Sequence, residues 1–201
     1  MEHKDIYQTI SSPSEGIFKD KGSRFLAFAY PVCNEEDAKA ITDRMRKTYH
    51  DARHHCYAYK IGADRPVYRV NDDGEPSGTA GKPIYGQIQS FGLTNVLIVV
   101  VRYFGGRLLG TGGLVNAYKN AAENALSHAK IVNEYLFEIA ELRFEYKHLP
   151  EINKALQSFN CDLLEQAYDE HCYLKVKIRR SLAASLAEKF SSFKEIQISV
   201  I

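Results

Sequence analysis

Apolar and polar positions change period several times along the chain, and each change marks an element. Gly16 to Val32 reads as two strands, joined at Asp20-Lys21-Gly22-Ser23 by a tight turn. From Asn34 to about His50 the apolar spacing becomes helical, with Ala38, Ile41, Met45 and Tyr49 on one face and Asn34 as the cap, three residues before Asp37. Arg53 to Ile61 alternates again and is rich in aromatic residues, which predicts a strand; Val67 to Val70 predicts a shorter one. Pro83 opens a short helix that ends before Gly92, with Ile84, Ile88 and Phe91 inward. Val96 to Val101 is an unbroken apolar run, as expected of a strand covered on both faces. Leu114, Tyr118, Ala121, Ala125 and Ala129 then define the inner stripe of a helix from Leu114 to Ala129.

The remaining sequence is compact and alternating. Leu136 to Tyr146 predicts a strand, and Pro150 stands near the start of a helix ending around Ser158. Leu163 to Tyr168 and Cys172 to Ile178 form a hairpin around Asp169-Glu170-His171. Ser181 caps a helix to about Phe190, and Ile196 to Ile201 is the last strand. The order is βαββαβ, the split ferredoxin-like pattern. Glycine divides the chain in the same place: ten of 13 glycines lie between Gly74 and Gly113, and none follows. Glycine clusters where backbone must take unusual φ or approach another group closely. The expected class is therefore α+β, with an N-terminal domain at residues 1–134 and a ferredoxin-like C-terminal domain at 135–201.

Composition narrows the function classes. The chain has 201 residues, enough to bury a core without staples. Its 26 basic and 25 acidic residues leave a net charge of +1, so any nucleic-acid site must be a local patch. No apolar run approaches the ~20 residues of a membrane span. Met1-Glu2-His3-Lys4-Asp5 offers no signal-peptide core, and the four cysteines show no CxxC spacing. A cytoplasmic protein without metal or cofactor is expected.

Three segments carry candidate chemistry. The first is Arg53-His54-His55-Cys56. On an alternating strand its two histidines point to opposite faces, one inward and one exposed. His54 and Cys56 share a face, but no third group orients them as a nucleophilic pair. The second segment runs from Asn71 to Pro83 and holds Asp72, Asp73 and Glu75. Three carboxylates can meet a hard cation, but turn and capping roles suit Asp-Gly and Pro-Ser-Gly better. The third runs from Val101 to Leu114. A buried strand enters a glycine-rich loop, and a helix follows whose unpaired N–H groups at Gly110, Thr111, Gly112 and Gly113 suit an anion. Arg107 is a surface cation there, whereas Arg102, at a strand end, can instead pair with Asp72 or Asp73 and hold the fold.

Taken together, the strings Asp51 to Cys56, Asp72 to Pro83 and Val99 to Leu114 resemble the IMPACT/YigZ family. The resemblance covers about residues 15–130, and the tail is similar to the small C-terminal domain of bacterial members. It implies an N-terminal fold like the second domain of ribosomal small-subunit protein five and a C-terminal domain like the last domain of elongation factor G. Eukaryotic members are translational regulators that block activation of the kinase phosphorylating initiation factor two. Their partner-binding N-terminal domain has no counterpart in this sequence, so that pathway is not expected to transfer. The resemblance implies no catalytic residues.

The resulting expectation is a non-catalytic, translation-associated regulator that binds RNA, the ribosome or a translation-factor surface. Its phosphate-binding candidates are Arg53, Lys82, Arg102, Arg107, Gly110, Thr111, Gly112, Gly113 and Lys119, with Tyr57, Tyr59 and Tyr103 available for stacking. The alternative is a phosphate-handling or metal-assisted hydrolase using His54, Asp72, Asp73, Glu75 and the glycine loop. A third class is a module that presents the C-terminal sheet to a protein partner.

Overall fold

The computed structural model describes residues 5–169 and 171–201. Met1 to Lys4, and Glu170 of the expected Asp169-Glu170-His171 turn, lie outside the described residues. Strand β1 (Ile6–Ile10) precedes β2 (Ser14–Asp20), β3 (Ser23–Pro31), helix α1 (Glu35–Thr48), β4 (His54–Ile61) and β5 (Val67–Asn71). Helix α2 (Gly81–Ser90), β6 (Val96–Tyr103), helix α3 (Gly110–Ser127) and β7 (Ile131–Tyr135) follow. Strands β1 and β7, which pair as a two-stranded ribbon, are not predicted by the sequence pattern. Both are short, and β7 has four exposed residues in five, so little apolar periodicity marks it.

The chain divides into two compact units, Gln8–Asn133 and Glu134–Ile201, and the described residues up to Tyr7 group with the second. In the first unit a five-stranded sheet has the order β2-β3-β6-β4-β5, antiparallel throughout. Lys21 and Gly22 both have positive φ in the β2–β3 turn, as a two-residue hairpin requires. Val96 to Val101 is fully buried because β6 lies at the centre of the sheet with apolar clusters on both faces. One cluster packs Ile84 and Ile88 of α2 and Leu114, Tyr118 and Ala121 of α3 against Phe25, Ala58 and Ile98. The other packs Ala38 and Met45 of α1 against Phe28, Tyr59 and Val99. Asn34 caps α1 as expected, its Oδ1 accepting from Asp37 N–H at 2.7 Å. Helix α3 begins at Gly110, four residues before the expected start, so the Gly110–Gly113 stretch is helix rather than loop.

In the second unit the described elements are β8 (Phe137–Phe144), a short 3-10 turn (Tyr146–His148), α4 (Leu149–Ser158), β9 (Asp162–Tyr168), β10 (Cys172–Arg179), α5 (Arg180–Phe190) and β11 (Gln197–Val200). The antiparallel sheet order is β11-β8-β10-β9. Strict alternation on β10 buries Cys172, Leu174, Val176 and Ile178 against Ile152 of α4 and Leu186 and Phe190 of α5. The opposite face carries Tyr173, Lys175, Lys177 and Arg179, with Phe137 and Arg143 of β8 opposite them. Among the described residues no helix is long and apolar enough to cross a membrane.

Ser181 does not cap α5 with its side chain. The buried Asp5 carboxylate serves that end instead: it accepts from Ser181 N–H at 3.3 Å and from Arg179 Nε and Nη2 at 2.5 and 3.0 Å. The Arg179 and Ser181 contacts hold the Asp5 carboxyl well below the usual carboxylate range. A depressed folded-state pKa contributes stability above the unfolded value of roughly 3.9, and that contribution fades as pH falls below it. Asp5→Asn should therefore lower the melting temperature by a few degrees at neutral pH, with the gap to wild type closing in acid. Thermal melts between neutral pH and about pH 3 check this; a gap independent of pH rules the ion pair out as its source.

Candidate functional site

The Asn71–Pro83 segment is organised by its own carboxylates. Asp72 accepts from three backbone N–H groups, Gly78 and Gly81 at 2.8 Å and Ala80 at 3.0 Å, and so replaces the missing side-chain cap of α2. Burial pushes the Asp72 carboxyl up, but those donors outweigh it and the net direction is down. Asp73 accepts from Arg46 at 2.9 Å and from His55 N–H at 2.6 Å, while its own carbonyl accepts from His54 Nδ1–H at 2.7 Å. Asp72 and Asp73 thus hold the loop against β4 and the helix ends. Among the described residues no group of three or more His, Cys, Asp or Glu side chains could hold a metal ion.

Glu75 turns the other way. Its side chain is 4% exposed, and Oε1 accepts from Arg102 Nη1 at 2.5 Å and from Tyr118 Oη at 2.8 Å. Arg102 is therefore not a surface cation, and it pairs with Glu75 rather than with Asp72 or Asp73. Its guanidinium lies 5.4 Å from the Phe25 ring and 5.7 Å from the Phe104 ring, and its buried Nε has no hydrogen-bond partner among the described residues. Tyr118 Oη also receives the Cys56 thiol at 3.2 Å. Burial pushes that thiol far up, so Cys56 is a packed core group and not a nucleophile. The sequence pattern places Tyr118 on the inner stripe of α3 but does not reveal its role. The available signal was a hydroxyl on a buried helix face, which requires a polar partner.

Above this pair opens a cleft of about 400 Å³, lined by Arg53, His54, Glu75, Arg102, Gly110 and Thr111 on its polar side. Pro76, Phe104, Leu108, Leu109 and Leu114 supply the apolar walls. The first turn of α3 has no side-chain cap, and Gly110, with φ of +73°, turns the chain into the helix. His54 Nε2 stands 3.8 Å from Glu75 Oε1. His55 points to the other face and is buried, its Nε2–H donating to Tyr49 O at 3.0 Å, so neither histidine is fully exposed.

Other predicted residues lie outside the cleft lining. Gly112, Gly113, Arg107, Lys82 and Lys119 do not line it, and the last three are exposed elsewhere on the loop and helices. Tyr57, Tyr59 and Tyr103 pack with the α1 cluster, where Tyr103 donates to Asp51 at 2.8 Å, so they do not meet a ligand in this cleft. On the C-terminal sheet, Lys177 Nζ lies 4.1 Å from the Phe137 ring centre, and the Arg143 guanidinium 5.6 Å from that of Tyr173.

Known proteins are similar to this chain over most of its length. The Impact N-terminal domain family matches residues 21–126. IMPACT family member YigZ of Escherichia coli (strain K12) is 33% identical over 193 residues, covering 95% of each chain. IMPACT family member YvyE of Bacillus subtilis (strain 168) is 32% identical over 182 residues, covering 90% of this chain and 84% of that one. The crystal structure of a hypothetical protein superposes with a TM-score of 0.77 at 33% identity, covering 98% of both chains. By its sequence over nearly its whole length, this chain belongs to the IMPACT family.

Proposed function

We propose that this protein is a translation-associated regulator, without catalysis of its own, that engages RNA through the mouth of the N-terminal cleft. Family membership supports the translational association. The observation that carries the RNA reading is the uncapped first turn of an 18-residue helix opening beside Arg53. Unpaired N–H groups and the positive end of the helix dipole favour an anion there, and Arg53 and the Thr111 hydroxyl add donors of their own. Backbone phosphate is the abundant anion of the translation machinery. The outward face of the C-terminal sheet, with cations laid over Phe137 and Tyr173, suits a second contact with RNA or with a protein partner. A C-terminal unit like the last domain of elongation factor G, and a first unit like the second domain of ribosomal small-subunit protein five, are part of this same proposal.

The hydrolase alternative has less support. It needs Asp72, Asp73 and Glu75 to converge, yet Asp72 and Asp73 bind backbone N–H groups and Arg46, and only Glu75 and His54 reach the cleft. Arg53→Ala tests the RNA reading, because Arg53 is exposed and its side chain makes no hydrogen bond to another described residue. Binding of a fluorescent single-stranded RNA should weaken roughly fivefold at moderate salt, and the slope of log affinity against log salt should flatten by about 0.7 to 1. Unchanged affinity and slope in a protein with wild-type melting behaviour would refute a phosphate contact at this mouth.

A further inference from the structure

The mouth of the cleft presents donors, whereas its floor presents acceptors. Glu75 Oε1 is engaged by Arg102 and Tyr118, while no hydrogen bond from a described residue reaches Oε2. Glu75 lines the cleft, and Oε2 is its carboxylate oxygen without a donor among the described residues. Beside it, His54 donates its Nδ1 proton to the Asp73 carbonyl, which can only accept. In the neutral imidazole this leaves Nε2 with a lone pair, 3.8 Å from Glu75 Oε1. Two neighbouring acceptors call for a pair of donors. The walls between floor and mouth are apolar, with Phe104 and Leu108 41% and 86% exposed, and so suit a planar ring.

Resting on the RNA reading above, we infer that the cleft takes one unstacked guanine of a single-stranded RNA. Guanine presents two adjacent donors on its Watson–Crick edge, N1–H and the 2-amino group, to meet Oε2 and His54 Nε2. Adenine, cytosine and uracil each offer a single donor group on that edge with an acceptor beside it, so one of the two floor acceptors would face an acceptor and stay unpaired. The ring fills the apolar section, and the nucleotide's phosphate reaches Arg53 and the first turn of α3. The cleft's 400 Å³ falls within the range of sites that bury one small ligand. The carboxylate makes the contact charge-assisted, and Arg102 beneath it keeps the floor neutral overall.

The test uses the full chain and nine-residue oligouridine RNAs whose central position is guanosine, inosine, adenosine or cytidine, read by fluorescence anisotropy. Guanosine should bind about tenfold more tightly than adenosine or cytidine, because a polar pocket discriminates strongly against an unpaired edge. Inosine, which lacks the 2-amino group, should fall between. Glu75→Gln retains an acceptor for Arg102 and Tyr118 but turns an amide N–H toward the base, and should erase the guanosine preference. Equal affinity for all four RNAs on the wild-type protein overturns the guanine inference while leaving the phosphate reading intact. Failure to bind any of them overturns both. The wild-type series decides even where Glu75→Gln is too unstable to measure.

Discussion

Replacing Arg102 with methionine should destabilise the protein by about 3–5 kcal/mol, the range seen when one partner of a buried ion pair is removed. Arg102 is 6% exposed, at the end of the central strand β6, with its guanidinium flanked by Phe25 and Phe104. Methionine fills much of the same space, so packing loss is small. The damage comes from Glu75, which keeps its charge in a site of 4% side-chain exposure with the Tyr118 hydroxyl as its remaining hydrogen-bond donor among the described residues. Total stabilities near 5–15 kcal/mol make this a large fraction of what holds the domain folded. The double variant Arg102→Met with Glu75→Gln should recover most of the loss, because the stranded charge is gone. Urea denaturation of both single variants and the double one measures the coupling directly. A loss under about 1 kcal/mol for Arg102→Met, with no coupling to Glu75→Gln, would show that the pair does not hold the floor of the cleft.

Gly105→Ala should be comparably damaging, by about 2–4 kcal/mol, and for a different reason. A Cβ there would stand 1.9 Å from Gly22 C and 2.1 Å from Ser23 N. Both are backbone atoms of the β2–β3 turn, so relief requires opening the hairpin that feeds Phe25 and Ala27 into the core. Gly112→Ala provides the contrast. It lies in the first turn of α3, where an added Cβ would meet nothing within 4 Å, so it should be neutral or stabilising by up to about 1 kcal/mol. Thermal and urea melts of the two variants check the pair of expectations. Equal effects at both positions would mean that the loop's glycines act through a common property rather than through one backbone contact.

These two glycines also mark the limit of what local sequence specifies. Local pattern determined most of the elements: the Lys21-Gly22 turn, the Asn34 cap, the buried run of β6 and the alternation of β10 all follow from interactions within a few residues. Their periods and turn residues leave few alternatives, and the structure realises each of them. The same local pattern presents residues 105–113 as one glycine loop, because composition does not distinguish a glycine pressed against a distant turn from one that begins a helix. Nor does it mark β1 and β7, whose exposed side chains carry little periodic signal.

The candidate site was legible as a set of residues and illegible as an arrangement. Asp72, Asp73 and Glu75 look equivalent in sequence, yet two cap and brace the loop while the third enters the core beside Arg102 and Tyr118. Which carboxylate faces which partner depends on contacts 27 and 43 residues apart, formed only when β6 and α3 pack over the loop. The single-residue geometry of Gly74, with φ of +86°, and of Asp73, with φ of +43°, turns the chain between them. Sequence alone determined that a buried strand, a glycine-rich segment and a set of charged groups lie together in this domain. Tertiary packing decided which charges cancel, which acceptors remain open to the cleft, and that Asp5 closes the end of α5 from the far end of the chain, because burial and pairing are properties of the folded neighbourhood and not of the residue.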